Sequence, residues 1–268
     1  MTDEIVIKNF EQNDMERLTE IQPDGWPDLS PVFRFYLSSL FCCPVKALHE
    51  GGLAGTGCLI VLGKTGWLAH IIVRAGLRSR GIGSSIVSFL TELAERLGIE
   101  TVSLLSTNLG YSIYKKAGFL ETGVYYKFTS EQAMKNEFKS KCIISYKENY
   151  KKDIMNLDRI VSGEIRDCFI SGKTSTLKMY VSDDVLKGLY FPDFGEGYIS
   201  ALDMEAGTEL FTLRNSGTVV FPEENEIFTE YLMKLGFTAE KHAVRMEKGK
   251  KLERKPECVF SRVSGYLG

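Results

Sequence analysis

The chain has 268 residues, 44% hydrophobic and 25% charged, a balance that excludes a disordered or collagen-like protein and whose length predicts two compact domains. Lys and Arg number 12 against 13 Asp and Glu up to residue 130, and 21 against 22 beyond it, so neither half is a cationic module for nucleic acid or an anionic membrane surface. Six cysteines without Cys-x-x-Cys spacing and only three histidines fit reduced thiols better than a disulfide framework or a zinc site, and no apolar run approaches the ~18 residues that span a bilayer.

From the start of the chain, residues 4–8 alternate as a strand does, and Asn13 and Asp14 stand where a helix cap belongs, ahead of a short helical stretch over 15–21. Two prolines, a glycine and a tryptophan make 22–30 a loop. Residues 31–41 put Phe35, Leu37, Leu40 and Phe41 on one helical side, and strands follow at 45–49, 55–62 and 67–73 with glycine turns between them. Residues 84–97 form an amphipathic helix with Ile86, Phe89, Leu90, Leu93 and Leu97 on its apolar face. A strand at 100–105, a short helix at 110–116 and a strand at 119–128 complete a parallel strand–helix–strand unit within an otherwise antiparallel sheet. The polar, lysine-rich stretch up to residue 140 reads as a linker (131–140), which divides the chain into domains at 1–130 and 141–268. The second half reads as a strand at 142–146, one or two helices within 151–171, and short strands separated by glycines over 178–219. A helix at 225–235 and a strand at 239–246 follow, and the basic tail from Glu247 is expected to be ordered only in part. The run Asn108, Tyr114, Gly118-Phe119 recurs as Asn225, Tyr231, Gly236-Phe237, each time as helix, Gly-Phe and strand, which points to an internal duplication.

The segment carrying the most chemistry is Arg78-Ser79-Arg80-Gly81-Ile82-Gly83-Ser84, between a strand ending at Val73 and a helix. Two glycines one residue apart let the backbone turn tightly and present successive N–H groups, where the helix dipole favours an anion. Arg78 and Arg80 add charges able to meet phosphate oxygens. An ordinary strand-to-helix turn with basic surface residues has the same spacing. Likewise Tyr114 reads either as a packing residue or as an acid, and His70, on the strand leading to Val73, either as a satisfied packing histidine or as a general base; Glu50 is a second base candidate.

Arg78, Gly81 and Gly83 fill the Arg/Gln-x-x-Gly-x-Gly/Ala places of motif A of the GNAT family of N-acetyltransferases, and Asn108, Tyr114, Gly118 and Phe119 resemble its motif B. The resemblance covers about residues 4–128 and implies the GNAT fold: a mixed, mostly antiparallel α/β sheet flanked by helices, with a splayed parallel pair of strands that admits acetyl-CoA. It implies that the backbone of Ile72 and Val73 pairs with the pantetheine arm. The amides of Arg78, Ser79, Arg80, Gly81, Ile82, Gly83 and Ser84 would cradle the pyrophosphate, and Asn108 would help hold the cofactor. By the same resemblance Tyr114 is the general acid that protonates the departing thiolate. Where relatives often carry Val-x-Pro before motif A, this chain has Val73-Arg74-Ala75-Gly76. The implied activity is direct transfer of an acetyl group to a primary amine on a small molecule or peptide, with no metal. A non-catalytic acyl-CoA-binding sensor or interaction module is the alternative, and transfer of a longer acyl group a third reading.

The second half has no Arg-x-x-Gly-x-Gly, and aligning it on Gly-Phe puts Leu232 opposite Tyr114. It is similar to the C-terminal domain of two-domain bacterial GNAT proteins of the YitH type through Leu157-Asp158, Gly163-x2-Arg166, Gly195-x-Gly197-Tyr198 and Arg245-Met246-x2-Gly249. It is therefore expected to be a smaller, degenerate GNAT-like α/β domain without a cofactor site, with Asp158, Arg166 and Tyr198 as candidates for an acceptor-pocket wall. Gly63-Lys64-Thr65 and Gly172-Lys173-Thr174 lack the first glycine of a P-loop, since Cys58 and Asp167 stand there. Cys42-Cys43 reads as a pair of structural thiols, and the seven basic residues between Lys241 and Lys255 as a solvated end without nucleic-acid chemistry. The acidic start lacks a signal-peptide layout, and a cytoplasmic location is expected.

Overall fold

The computed structural model describes residues 4–131 and 140–268, so residues 132–139 of the expected linker lie outside the described residues. In chain order the elements are β1 (Ile5–Asn9), α1 (Ser30–Ser38), β2 (Cys42–His49), β3 (Gly52–Leu62), β4 (Thr65–Val73), α2 (Ile82–Arg96), β5 (Thr101–Ser106), α3 (Tyr111–Lys116) and β6 (Leu120–Thr129). The second half continues with β7 (Ile143–Ser145), α4 (Lys151–Ser162), α5 (Asp167–Ile170), β8 (Lys178–Ser182), β9 (Val185–Phe191), β10 (Tyr198–Ala201), α6 (Met204–Phe211), β11 (Thr218–Pro222), α7 (Glu226–Lys234), β12 (Thr238–Gly249) and β13 (Val259–Ser261). Two compact units form, one from residues up to Leu120 together with Met246–Lys251, the other from Glu121–Arg245 together with Leu252–Gly268.

In the first unit the strands lie in the order β1-β2-β3-β4-β5, antiparallel except for the last pair. The β2–β3 hairpin turns through Glu50 and Gly51, both left-handed at φ 51° and 78°, the backbone that a tight two-residue hairpin requires. Helix α2 presses onto β3 at two glycines. A Cβ on Gly57 would come within 2.7 Å of Ile71 Cδ1 and Ile86 Cγ2, and one on Gly55 within 2.6 Å of the Ile72 carbonyl. Ile82, Ile86, Val87 and Leu90 bury this face of the helix completely, while Phe33, Tyr36 and Trp67 build the rest of the core. The strand end 246–249 extends the sheet beyond β5. Lys250 N donates to the Glu100 carbonyl at 2.9 Å, and Thr101 Oγ1 donates to the Lys250 carbonyl at 2.6 Å.

In the second unit β13-β10-β9-β8-β7 form one antiparallel sheet, while β6 pairs with β11 from Thr129↔Thr218 to Tyr125↔Pro222. Strand β13 pairs with β10, and beside it Arg262 N donates to the Val220 carbonyl of β11 at 2.8 Å.

Four details differ from the sequence reading. The helical stretch after β1 is a 3-10 helix over Gln12–Glu20 capped by Glu11, with Asp14 closing the box from the third position instead of serving as the cap. Leu40 and Leu97, expected on apolar faces, are exposed because α1 ends at Ser38 and α2 at Arg96, and Phe35, within α1, is exposed as well. Residues 204–211 are helical, not a short strand: Asp203 caps α6 by accepting from Ala206 N at 2.9 Å, and Gly207 is the hollow into which the Phe260 ring fits. The tail is built into the fold, with Phe260, Val263 and Leu267 buried in the second unit.

Gly249, at φ 106°, has no room for a Cβ, which would meet the Glu100 carbonyl oxygen. Gly249→Ala should therefore cost about 2 kcal/mol or more in urea unfolding and lower hydrogen-exchange protection along β5. A variant as stable as the parent would mean that 246–251 does not pack in the first unit.

Candidate functional site

Two departures from regular pairing shape the first unit around β4. Along β3 the register steps from Cys58↔Ala69 to Thr56↔Ile72, so three steps on β4 oppose two on β3 and one residue bulges out. The bulge contains His70, held left-handed at φ 48°, a conformation a non-glycine residue keeps only when its surroundings enforce it. On its other side β4 runs parallel to β5 for three pairs only, Thr65↔Thr101, Gly66↔Val102 and Trp67↔Ser103. Beyond Trp67 the two strands part, leaving the β5-facing backbone groups of the bulged end of β4 without partners from β5.

At the mouth of this parting the chain enters the glycine turn. Gly81 is the cap residue of α2 at φ 83°, and Ser79 is also left-handed at φ 64°. Arg78, Ser79, Arg80, Gly81 and Ser84 are exposed, whereas Ile82 and Gly83 are buried. Gly83 serves packing: a Cβ there would stand 3.2 Å from Ile113 Cδ1 on α3 and 3.6 Å from Val73 Cγ2. Ile72 is buried and Val73 pairs with Gly55, while Arg78 Nε reaches back to the Val73 carbonyl at 3.4 Å. Exposed arginines over a left-handed glycine at a helix start have the donor set that a pyrophosphate takes. Asn108 sits exposed in the turn from β5 to α3.

Tyr114 lies on α3, almost fully buried, with its ring edge-on to Phe119 at 6.0 Å. A Cβ on Gly110 would come 2.7 Å from the Tyr114 ring, so that glycine makes room for the side chain. Burial raises the phenol pKa above its ordinary value and keeps the hydroxyl protonated near neutrality. His70 Nδ1 is 2.7 Å from the Tyr36 hydroxyl, within a cage of Trp26, Phe33 and Tyr36 whose ring centroids lie 5.6–6.5 Å away. Desolvation in this cage lowers the imidazole pKa to about 4, so the ring is neutral at pH 7. Glu50 lies exposed in the β2–β3 turn. The residues from Ile72 to Ser84 thus follow one another along the parting and its mouth, and His70 sits on the parted end of the same strand.

Sequence reasoning missed Tyr36, Trp26 and Glu247. Tyr36 and Trp26 meet His70 from α1 and from the loop over 22–30, elements whose registers carry no motif. Glu247, a buried carboxylate in the strand end beside β5, accepts from Ser103 Oγ at 3.5 Å, although 144 residues separate the two. A cavity of about 460 Å³ opens against the segment after β4, lined by Glu20, Asp24, Trp26, Arg74, Arg78 and Leu109 among others.

In the second unit Asp158, Arg166 and Tyr198 do come together. Arg166 Nε and Nη2 donate to the Asp158 carboxylate at 3.1 and 2.5 Å, and the guanidinium lies 4.7 Å from the Tyr198 ring centroid. All three are fully buried, and the space beside Arg166 and Tyr198, about 20 Å³, has room for about one water molecule. Among the described residues no cluster of three or more His, Cys, Asp or Glu is placed to hold a metal ion, and no helix is long and apolar enough to cross a membrane.

Residues 8–119 match the acetyltransferase (GNAT) family. Over 85 residues the chain is 36% identical to the probable glucosamine 6-phosphate N-acetyltransferase 2 of Oryza sativa subsp. japonica, a match covering 29% of this chain and 51% of that protein, so the chain spans about half the length of this relative. A candidate acetyltransferase from Pyrococcus horikoshii superposes over 100% of this chain and 97% of its own with a TM-score of 0.81 at 18% identity. A tandem GNAT protein from the clavulanic acid biosynthesis pathway covers 92% of this chain and 98% of its own, with a TM-score of 0.58 at 12% identity. At these identities the two structures establish the fold: a mixed α/β sheet flanked by helices, with tandem GNAT architecture among its neighbours.

The neutral state of His70 has a consequence for stability. Its folded pKa of about 4 lies below the unfolded value near 6.5, so the unfolded chain binds the extra proton between those limits and stability falls as pH drops from about 6.5 to about 4. Urea midpoints measured at pH 7 and pH 5 should differ less in His70→Gln than in the parent. An equal difference in both proteins would place His70 in solvent.

Proposed function

Starting from the membership of residues 8–119 in the acetyltransferase (GNAT) family, we propose that the chain transfers an acetyl group from acetyl-CoA to a primary amine by direct attack. The observation that carries this reading is the parting of β4 from β5 after three residue pairs, with the α2 start and its exposed arginines at the mouth of the gap. Acetyl-CoA supplies the activated acyl group as a thioester. The β5-facing edge of β4 at Ile72 and Val73, which has no ladder partner from β5, is what we read as holding an extended arm as a strand would. The amides from Arg78 to Ser84, with the side chains of Arg78 and Arg80, suit a pyrophosphate, and Asn108 is exposed on the turn after β5 to hold the donor from the far side.

As the amine nitrogen bonds to the acyl carbon, the carbon–sulfur bond breaks and the thiolate takes a proton from Tyr114 Oη, which burial keeps in its protonated form. His70 receives a hydrogen bond from the attacking amine as it loses its proton. A neutral imidazole suits that role; with its low pKa the proton passes on to water, and a solvent proton restores the Tyr114 phenol. A backbone amide near Val73 stabilises the oxyanion. The second half we read as carrying no donor site: β13 pairs with β10 and bonds toward β11, filling the position that stays open beside β4 in the first unit.

Tyr114→Phe should lower kcat by ~10²-fold while leaving acetyl-CoA affinity by calorimetry unchanged, and the parent should bind one acetyl-CoA per chain. Unchanged kcat removes Tyr114 from the reaction, and two sites per chain would overturn the reading of the second half. Binding without thiol release across a broad amine screen would favour a non-catalytic acyl-CoA sensor instead.

A further inference from the structure

The loop over 22–30 is built to stay still. Gln22 Nε2 donates to the carbonyls of Trp26 and Pro27 at 3.2 and 3.0 Å, and its Oε1 accepts from Leu29 N at 3.2 Å. Trp26 N closes a turn onto the Pro23 carbonyl at 3.2 Å, and Gly25 supplies the left-handed residue at φ 74°. This rigid loop holds Trp26 49% exposed, edge-on to His70 at 6.5 Å, on the wall of the cavity of about 460 Å³. A large indole kept half in water on an ordered loop, at a cavity of small-molecule size, is a preformed ligand surface.

The cavity wall carries two acids, Glu20 and Asp24, and two arginines, Arg74 and Arg78. Glu20 is clamped by Arg17 at 2.8 Å and faces Arg74 at 3.7 Å, and Arg78 belongs to the phosphate turn. That leaves Asp24, exposed and two residues from Trp26, with no ion-pair partner among the described residues. A carboxylate beside an exposed indole is the combination that holds an organic ammonium. The nitrogen that reacts must be neutral when it attacks, and the surroundings of His70 between Phe33 and Tyr36 are ones where desolvation disfavours charge, so a group that stays cationic at Asp24 is not the one acetylated.

We propose that the acceptor carries a second, cationic group besides the amine that is acetylated, a diamine in its simplest form, and that Trp26 and Asp24 hold that cation. This rests on the acetyl-transfer reading and extends it to the class of acceptor.

The chain has two tryptophans, and Trp67 is fully buried, so a ligand at the cavity wall changes emission through Trp26. The test titrates the full chain, saturated with CoA, with 1,4-diaminobutane, 1-aminobutane and glucosamine 6-phosphate, and measures KM for each with acetyl-CoA. The diamine should quench emission and show a KM at least about ten-fold below that of the monoamine. Asp24→Asn, an exposed turn residue whose change leaves the fold intact, should bring that ratio toward one, and Trp26→Leu should remove the quench. Equal KM values, a ratio indifferent to Asp24→Asn, or a preference for the phosphorylated amino sugar overturns the proposal while leaving acetyl transfer standing. If no amine is acetylated, the transfer reading fails and the titration still decides: a diamine quench lost in Asp24→Asn upholds the cation site, and its absence overturns it.

Discussion

Everything proposed for the first unit depends on β4 leaving its neighbours at one place. The bulge at His70 rotates the end of the strand relative to β3, and from Trp67 onward the parallel bonds to β5 cease. A sheet does not give up ladder hydrogen bonds inside a core without cause, since unpaired backbone groups cost free energy unless water or a ligand meets them. The left-handed backbone at His70 adds strain of order 1–3 kcal/mol. The surrounding packing holds it: Tyr36 bonds to the imidazole, Phe33 and Trp26 close around it, and on the other side of the sheet α2 is pulled tight onto Gly55 and Gly57.

That tight helix also places the glycine turn. Because Ile82, Ile86 and Leu90 are fixed on β3, the start of α2 cannot drift, and Gly83 lets α3 approach so closely that Ile113 touches the first turn. The two motif glycines therefore have different physical tasks. Gly81 supplies a left-handed backbone with open space around it, and Gly83 supplies proximity without unusual dihedrals. Tyr114 is anchored by the same logic, its ring resting where Gly110 has no side chain.

Much of this was legible in the residue pattern, because local chemistry fixes it. The turn from Arg78 to Ser84, the amphipathic helix after it and the Gly-Phe step after Tyr114 are spaced by covalent geometry, so order and spacing alone identify them. What the pattern hid depends on distant partners. Tyr36 reads as one more apolar residue of a helix, and only the bulge brings it to His70. Gly207 reads as a turn because its cause, the Phe260 ring, lies 53 residues on. The basic tail reads as a solvated end because its lysines are numerous, yet Phe260 and Val263 within it are core residues.

The same non-locality governs how the halves can be studied. Residues 246–251 complete the first unit, and residues 121–129 pack in the second, so each unit holds a strand segment from the far half of the sequence. A cut in the polar stretch near residue 130 takes Gly249 and Glu247 away from β5 and leaves the Lys250 bonds to Glu100 and Thr101 unmade. It also strips β11 of its partner β6. Lost activity after such a cut reports broken sheets, not the contribution of one half to the chemistry of the other. Substitutions that leave every strand in place are the ones that separate folding from function here, because each of them alters a side chain without opening an edge.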